Sequence, residues 1–293
     1  LALQEVPERL VVVGGGAIGL EMGSVWARLG SEVLVVEFMD QILPGMDREM
    51  AGQLGRLLKR QGVECRLGAS AQGMQVKDGK VKLTVAVGDT ESVESCDRVL
   101  VAVGRRPYSA GLGLADVGVE VNERGQVVVD KHFHSNVEGI WAIGDLIPGP
   151  MLAHTAEVEG VAAVERMAGS EGQVNYDAMP AVVYTHPELA SVGLSEEAAA
   201  AAGREVAIGK YQFRANARAH CMDEIDGLVK ILADVETDEL LGMHIWGLQA
   251  SHLIAEGVPA LEFGASAEDV ARTVHAHPAL SEVVKEAAWA VSE

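Results

Sequence analysis

An apolar run, Leu10-Val11-Val12-Val13, leads directly into Gly14-Gly15-Gly16-Ala17-Ile18-Gly19, and that order leaves few folds open to the chain. A helical pattern from Leu20 to Leu29 follows, and then a second apolar run, Val33-Leu34-Val35-Val36, closed by Glu37. Strand, glycine turn, helix and strand within about thirty residues make a βαβ unit built for a dinucleotide. Gly14 permits the tight turn, Gly16 lets the backbone approach a pyrophosphate, and Gly19 lets the helix close on the sheet. Gly14, Gly15, Gly16, Ala17, Ile18 and Gly19 therefore read as a phosphate cradle at a helix N-terminus. Glu37 arrives about twenty residues on, where a carboxylate accepts from the adenosine ribose hydroxyls. No Arg occurs in the ten residues after Glu37 to neutralise a 2′-phosphate, so the unit reads as NAD-binding rather than NADP-binding. A glycine turn alone would be weak evidence, because such turns occur in many loops; here the flanking strand, helix and acid carry the assignment.

At 293 residues the chain has room for two or three domains. Its 48% apolar and 23% charged content is that of a globular protein, and no run nears the roughly 18 apolar residues of a membrane span. A formal charge of −20 disfavours nucleic acid and anionic lipid as partners, although much of it is also what a solvated face requires. Cys65, Cys96 and Cys221 are odd in number and widely spaced, which suits a reducing cytoplasm better than a disulfide scaffold, and Cys65 and Cys96, flanking strand-like sequence, read as ordinary buried thiols. The chain opens on Leu1-Ala2-Leu3 without an initiator Met, directly before the first strand, and reads as cut.

Asp47 starts a second helix that runs to about Gln61, Gly62 stops it, and Val63 to Arg66 completes βαβαβ. Ala69 to Glu94 alternates around an Asp78-Gly79 turn and predicts an antiparallel meander, after which Arg98 to Val103 returns as a strand. Val127 to Asp130 and Gly139 to Asp145 are expected as strands and Thr155 to Ala168 as a helix. Beyond a polar break at Gly169 to Gln173, an α+β region is expected. Its strands fall near Ala181 to Tyr184, Glu205 to Phe213, Leu228 to Ala233 and Leu240 to Trp246, its helices near Glu196 to Ala202, His252 to Glu262, Ala267 to Arg272 and Leu280 to Val291.

Two further constellations carry chemistry. Asp145 stands where a strand end could offer a carboxylate to a sugar hydroxyl, or merely cap the turn that follows. His277-Pro278 precedes a helix whose first turn carries Glu282, and a carboxylate on one imidazole nitrogen makes the other a general base near neutral pH. The blander reading is a surface histidine. His275 and His277 lack a convincing third ligand for a metal, and none is expected.

Taken together, the Gly14 to Gly19 turn with Glu21 and Glu37, Gly104-Arg105-Arg106-Pro107, Gly139 to Asp145 with Met151-Leu152-Ala153-His154, Tyr184-Thr185-His186-Pro187-Glu188 and His275 to Glu282 resemble the dihydrolipoyl dehydrogenases. These are flavin disulfide reductases, and the blocks stand in family order along the whole chain. The resemblance implies an α/β architecture of three parts: a Rossmann-type NAD(P)-binding domain over 1–110, the C-terminal half of an FAD-binding domain over 111–172, and an α+β dimerisation domain over 173–293. It implies NAD and FAD as cofactors. Glu21 would lie near the nicotinamide, Gly104 against the NAD, Asp145 at the flavin's sugar-alcohol chain, and Met151, Leu152, Ala153 and His154 along the isoalloxazine edge. His277, oriented by Glu282, would move the proton of a dithiol across a homodimer.

The family's first FAD fingerprint and its Cys-x4-Cys pair precede this region and are not among these residues, so the resemblance implies roughly the C-terminal two-thirds of an enzyme, inactive by itself. It further implies docking to the dihydrolipoyl acyltransferase core of a 2-oxo acid dehydrogenase complex, in a bacterial cytoplasm ahead of a mitochondrial matrix. Two alternatives stay open: a non-catalytic dimeric NAD-binding module, and another disulfide reductase of the same family.

Overall fold

The computed structural model describes residues 3–292, so Leu1 and Ala2 of the expected cut start lie outside the described residues, as does Glu293. The chain divides into two compact units, one formed up to Val103 and again from Asp177 onward, the other spanning Gly104–Tyr176.

In the first unit β1 (Arg9–Val13), α1 (Ala17–Arg28), β2 (Glu32–Val36), α2 (Arg48–Arg60) and β3 (Val63–Arg66) form the expected βαβαβ. The meander β4 (Ala69–Lys77), β5 (Lys80–Val87) and β6 (Thr90–Cys96) follows, and β7 (Arg98–Val101) returns to pair with β1, giving a parallel sheet of order β3-β2-β1-β7. Parallel strands covered on both faces read as unbroken apolar runs. Leu10, Val12, Val33 and Val35 pack on one face with Leu20, Leu54 and Leu58 of the two helices. Val11, Leu34 and Val36 face Val81, Leu83 and Val85 of the meander. Asp47 caps α2 by accepting from the Met50 amide at 3.1 Å, a role its type and position announce.

The second unit is mostly irregular, and α3 (Ala153–Met167) is its α-helix. Here two expected strands are corrected. Val127 and Val129 form only single bridges, to Val121 and Ser135, and Trp141 bridges only to His134. Asp130 takes the amides of His132 and His134 at 2.8 and 3.0 Å, which closes a turn where a ladder would have continued. Gly139 and Gly144 sit at φ +80° and +67°, which breaks the extended run, and Gly144–Leu146 becomes a 3-10 turn.

From Asp177 the chain forms β8 (Ala181–Val183), β9 (Glu188–Gly193), α4 (Glu196–Ala201), β10 (Val206–Gln212), α5 (Ala217–Met222), β11 (Leu228–Asp234) and β12 (Leu240–Gly247). The strands make an antiparallel sheet of order β10-β11-β12-β9-β8. Then come α6 (Ala250–Leu253), α7 (Gly257–Glu262), α8 (Ala267–Arg272) and α9 (Glu282–Trp289). The sequence pattern did not announce β9 or α5. Leu189, Ala190, Ser191 and Val192 are all buried, so β9 shows no period-two alternation, and α5 is too short for a helical stripe. The single helix expected over His252 to Glu262 is two, joined by a 3-10 turn at Ile254–Glu256. Pro259 has no amide for an upstream carbonyl, so it fits only near the start of a new helix.

Candidate functional site

The glycine turn is built by three different demands. Gly14 has φ +109°, and a Cβ there would stand 2.3 Å from the Ala102 carbonyl oxygen, so the turn is pressed against the chain leaving β7. A Cβ on Gly19 would meet the Gly14 carbonyl oxygen at 2.0 Å, which is how closely α1 sits on the turn. A Cβ on Gly16 would meet nothing within 4 Å, and no side chain caps the α1 N-terminus. Open space before uncapped helix amides is what a pyrophosphate needs.

Glu37 is brought to this turn, as its spacing predicts. Its side chain is buried, at 7% exposure, and accepts from the Gly15 amide at 2.5 Å and the Met39 amide at 2.8 Å. The grip on Gly15 was not legible in sequence, since spacing says how far a carboxylate lies along the chain and not what it holds meanwhile. Glu21 accepts from the Tyr184 amide at 2.9 Å, joining α1 to the segment that carries His186-Pro187.

His277 and Glu282 come together as expected. Imidazole Nδ1 lies 2.9 Å from Glu282 Oε1, and the other carboxylate oxygen accepts from the Ala279 amide at 2.9 Å. That amide, with His277, holds the Glu282 carboxyl below the usual carboxylate range. A carboxylate can only accept, so Nδ1 donates and Nε2 of a neutral ring carries the lone pair. The His277 side chain is 73% exposed, so that nitrogen is accessible. His275 differs: its ring contacts the Thr273 carbonyl and Glu256 Oε2, each at 2.9 Å, and both nitrogens are occupied.

In the second unit Asp145 Oδ2 accepts from Arg105 Nε and Nη2 at 3.1 and 2.7 Å. The preceding residue is fixed from another side. Gly144 donates its amide to Glu159 Oε2 at 2.6 Å, and the Tyr176 hydroxyl donates to Glu159 Oε1 at 2.7 Å. Glu159 lies on α3 at 1% exposure, and burial together with its carboxylate pushes the Tyr176 hydroxyl well above the usual phenol range. Sequence reasoning missed Glu159; the available signal was an acid among the alanines and valines of α3. Met151 and Leu152 lead into that helix, Ala153 and His154 open it, and no side chain caps it. Gly104, at φ +108°, opens the unit.

A family model described as pyridine nucleotide-disulphide oxidoreductase matches residues 1–160, more than half of the chain. The chain belongs to that family. The family's dimerisation-domain model matches residues 179–288. Among curated relatives, the mitochondrial dihydrolipoyl dehydrogenase of Pisum sativum is 51% identical over 292 residues, covering 99% of this chain and 58% of that protein. The leghemoglobin reductase of Glycine max is 51% identical over the same length, covering 99% and 56%. Among solved structures, LpdA from Mycobacterium tuberculosis superposes with a TM-score of 0.90 at 28% identity, covering 98% of this chain and 62% of that one. The chain thus spans somewhat over half the length of the curated relatives it matches.

Proposed function

We propose that the protein carrying this chain is a dihydrolipoyl dehydrogenase, which oxidises a protein-bound dihydrolipoyl group and reduces NAD. The observation that carries the reading is the His277–Glu282 pair, an exposed imidazole with one nitrogen held by a carboxylate, on a chain that also folds a dinucleotide cradle. In this reading residues 1–110 bind NAD, residues 111–172 contribute to FAD binding and residues 173–293 form the dimer contact. Gly14 to Gly19 would hold the NAD pyrophosphate and Glu37 its adenosine ribose, with Glu21 and Gly104 toward the nicotinamide. Asp145 would hold the flavin's sugar-alcohol chain, with Met151 to His154 along the ring edge. The residues present fit both groups: the space before Gly16 is open, and both helix N-termini, of α1 and α3, lack side-chain caps.

FAD, when bound, supplies a two-electron carrier between a disulfide and NAD. This chain supplies proton management. His277 Nε2 accepts the proton as a dithiol becomes a thiolate, and the Glu282 carboxylate stabilises the imidazolium that results. The test is NAD reduction by dihydrolipoamide in the full-length protein; absence of turnover with FAD bound would overturn the reading.

The Glu37 geometry predicts preference for NAD(H) over NADP(H) in this chain. Glu37→Ala should weaken NAD(H) binding by about 1.5–3 kcal/mol, the range for hydrogen bonds to a charged group, and reduce the discrimination against NADP(H). Titration of both cofactors by calorimetry checks it, and equal affinity of the unaltered chain for the two would count against the assignment. The dimerisation-domain match supports a homodimer, and the dihydrolipoyl dehydrogenase reading adds the dihydrolipoyl acyltransferase core of a 2-oxo acid dehydrogenase complex as the larger partner. Sedimentation at micromolar concentration is expected to give twice the monomer mass.

A further inference from the structure

Lys230, on β11, is fully buried, yet it is charged and has a buried acid against it. Its ammonium lies 2.8 Å from Asp47 Oδ2, 2.6 Å from Glu196 Oε2 and 3.2 Å from Glu49 Oε2. Burial disfavours the charge, but the carboxylates of Asp47 and Glu196 hold the ammonium protonated well above the usual lysine range. Asp47 is itself fully buried, caps α2 through Oδ1 and takes the Glu196 amide at 3.4 Å. Burial pushes nearby His244 below the usual imidazole range, with its ring on Ser191 and the Leu194 carbonyl, and Lys210 is engaged by Glu49 at 2.7 Å. A buried ion pair adds little stability over an apolar replacement, and its best-attested use is to fix register.

What this pair registers is the loop that runs from Glu37 to Asp47. At its near end Glu37 holds the Gly15 amide, and the Leu43 amide donates to the Gly15 carbonyl at 2.9 Å. Within it, Gln41 Nε2 bonds the Met46 carbonyl at 3.2 Å, and buried Leu43 is held at φ +50°. Left-handed backbone is strained at a residue that carries a side chain. Such a conformer persists only where its surroundings over-determine it. The loop therefore needs both anchors.

We propose that Lys230 and Asp47 are positioning residues for the adenosine half of the nucleotide site: the pair pins the far end of the loop, and the loop sets Gly15 and Glu37. The inference rests on the NAD reading above. It is tested on this chain with ADP-ribose as probe, using Asp47→Asn, which preserves a helix cap, and the double variant Asp47→Asn/Lys230→Met, which leaves no ammonium buried without its acid. Both are expected to unfold cooperatively, to bind ADP-ribose about 3- to 30-fold more weakly, and to lose hydrogen-exchange protection at the Leu43 amide while β1 amides stay protected. Folded variants with unchanged ADP-ribose affinity would overturn the proposal. Equal loosening of Leu43 and β1 would also overturn it, since that is global destabilisation. Failure of the unaltered chain to bind ADP-ribose would instead remove the NAD reading on which the proposal stands.

Discussion

On the proposed dihydrolipoyl dehydrogenase reading, His277→Gln in the full-length protein is expected to lower dihydrolipoamide oxidation by about 10²- to 10⁴-fold, the range over which a positioned acid–base group contributes. Gln fills similar space and can still bond Glu282, so the loss isolates proton transfer from packing. Flavin content and NADH affinity should be unchanged, because among the described residues the side chain that His277 bonds is Glu282. Glu282→Gln should lower turnover by no more than His277→Gln: the imidazolium loses its counter-charge, and the Gln NH2 turned to Nδ1 favours the tautomer whose Nε2 is protonated. The Ala279 amide, which now donates to the Glu282 carboxylate, can bond the amide oxygen of Gln, so the helix start is preserved. Steady-state turnover against pH checks both variants. Undiminished turnover in His277→Gln would take this residue out of the mechanism.

The geometry of the candidate site was legible where chemistry and spacing coincide along a short stretch. Gly14 to Gly19, Glu37 and the His277–Glu282 pair are each local in sequence or separated by a single βαβ step, so periodicity and motif suffice to place them. Glu159, Tyr176 and Lys230 were not legible, because their meaning is a partner elsewhere: Gly144 for Glu159, and Asp47, 183 positions away, for Lys230. The fold divides in the same way. The parallel sheet, the meander and the amphipathic α2 follow from their patterns, whereas β9 is buried on both faces and has no pattern to read. In the second unit two apolar runs read as strands, but the turn closed by Asp130 ends the first and two glycines in left-handed backbone break the second, where hydrophobicity alone predicts continuation.

Substituting alanine at two glycines of one turn should separate the glycine the fold needs from the glycine the ligand needs. At Gly14 the new Cβ would lie 2.3 Å from the Ala102 carbonyl oxygen, at a backbone φ of +109° that L side chains rarely adopt. Left-handed strain of about 1–2 kcal/mol and overpacking of about 1–3 kcal/mol together predict a loss of roughly 2–5 kcal/mol in unfolding free energy. Neither term can be relieved by a rotamer, because the obstacle is backbone, held where the Ala102 amide donates to the Val13 carbonyl at 2.8 Å. At Gly16 the backbone is already extended, at φ −75° and ψ −178°, and nothing stands within 4 Å of the added methyl. Gly16→Ala should therefore leave stability within about 1 kcal/mol of the parent, or raise it slightly by restricting the unfolded chain. The methyl would, however, occupy space that a pyrophosphate needs, so NADH affinity should fall in a protein that is otherwise intact. Urea unfolding paired with NADH titration reads both effects. If Gly16→Ala binds NADH as the parent does, the phosphates do not lie against this turn; if Gly14→Ala is as stable as the parent, the close approach of the turn to Ala102 is not a constraint on the fold.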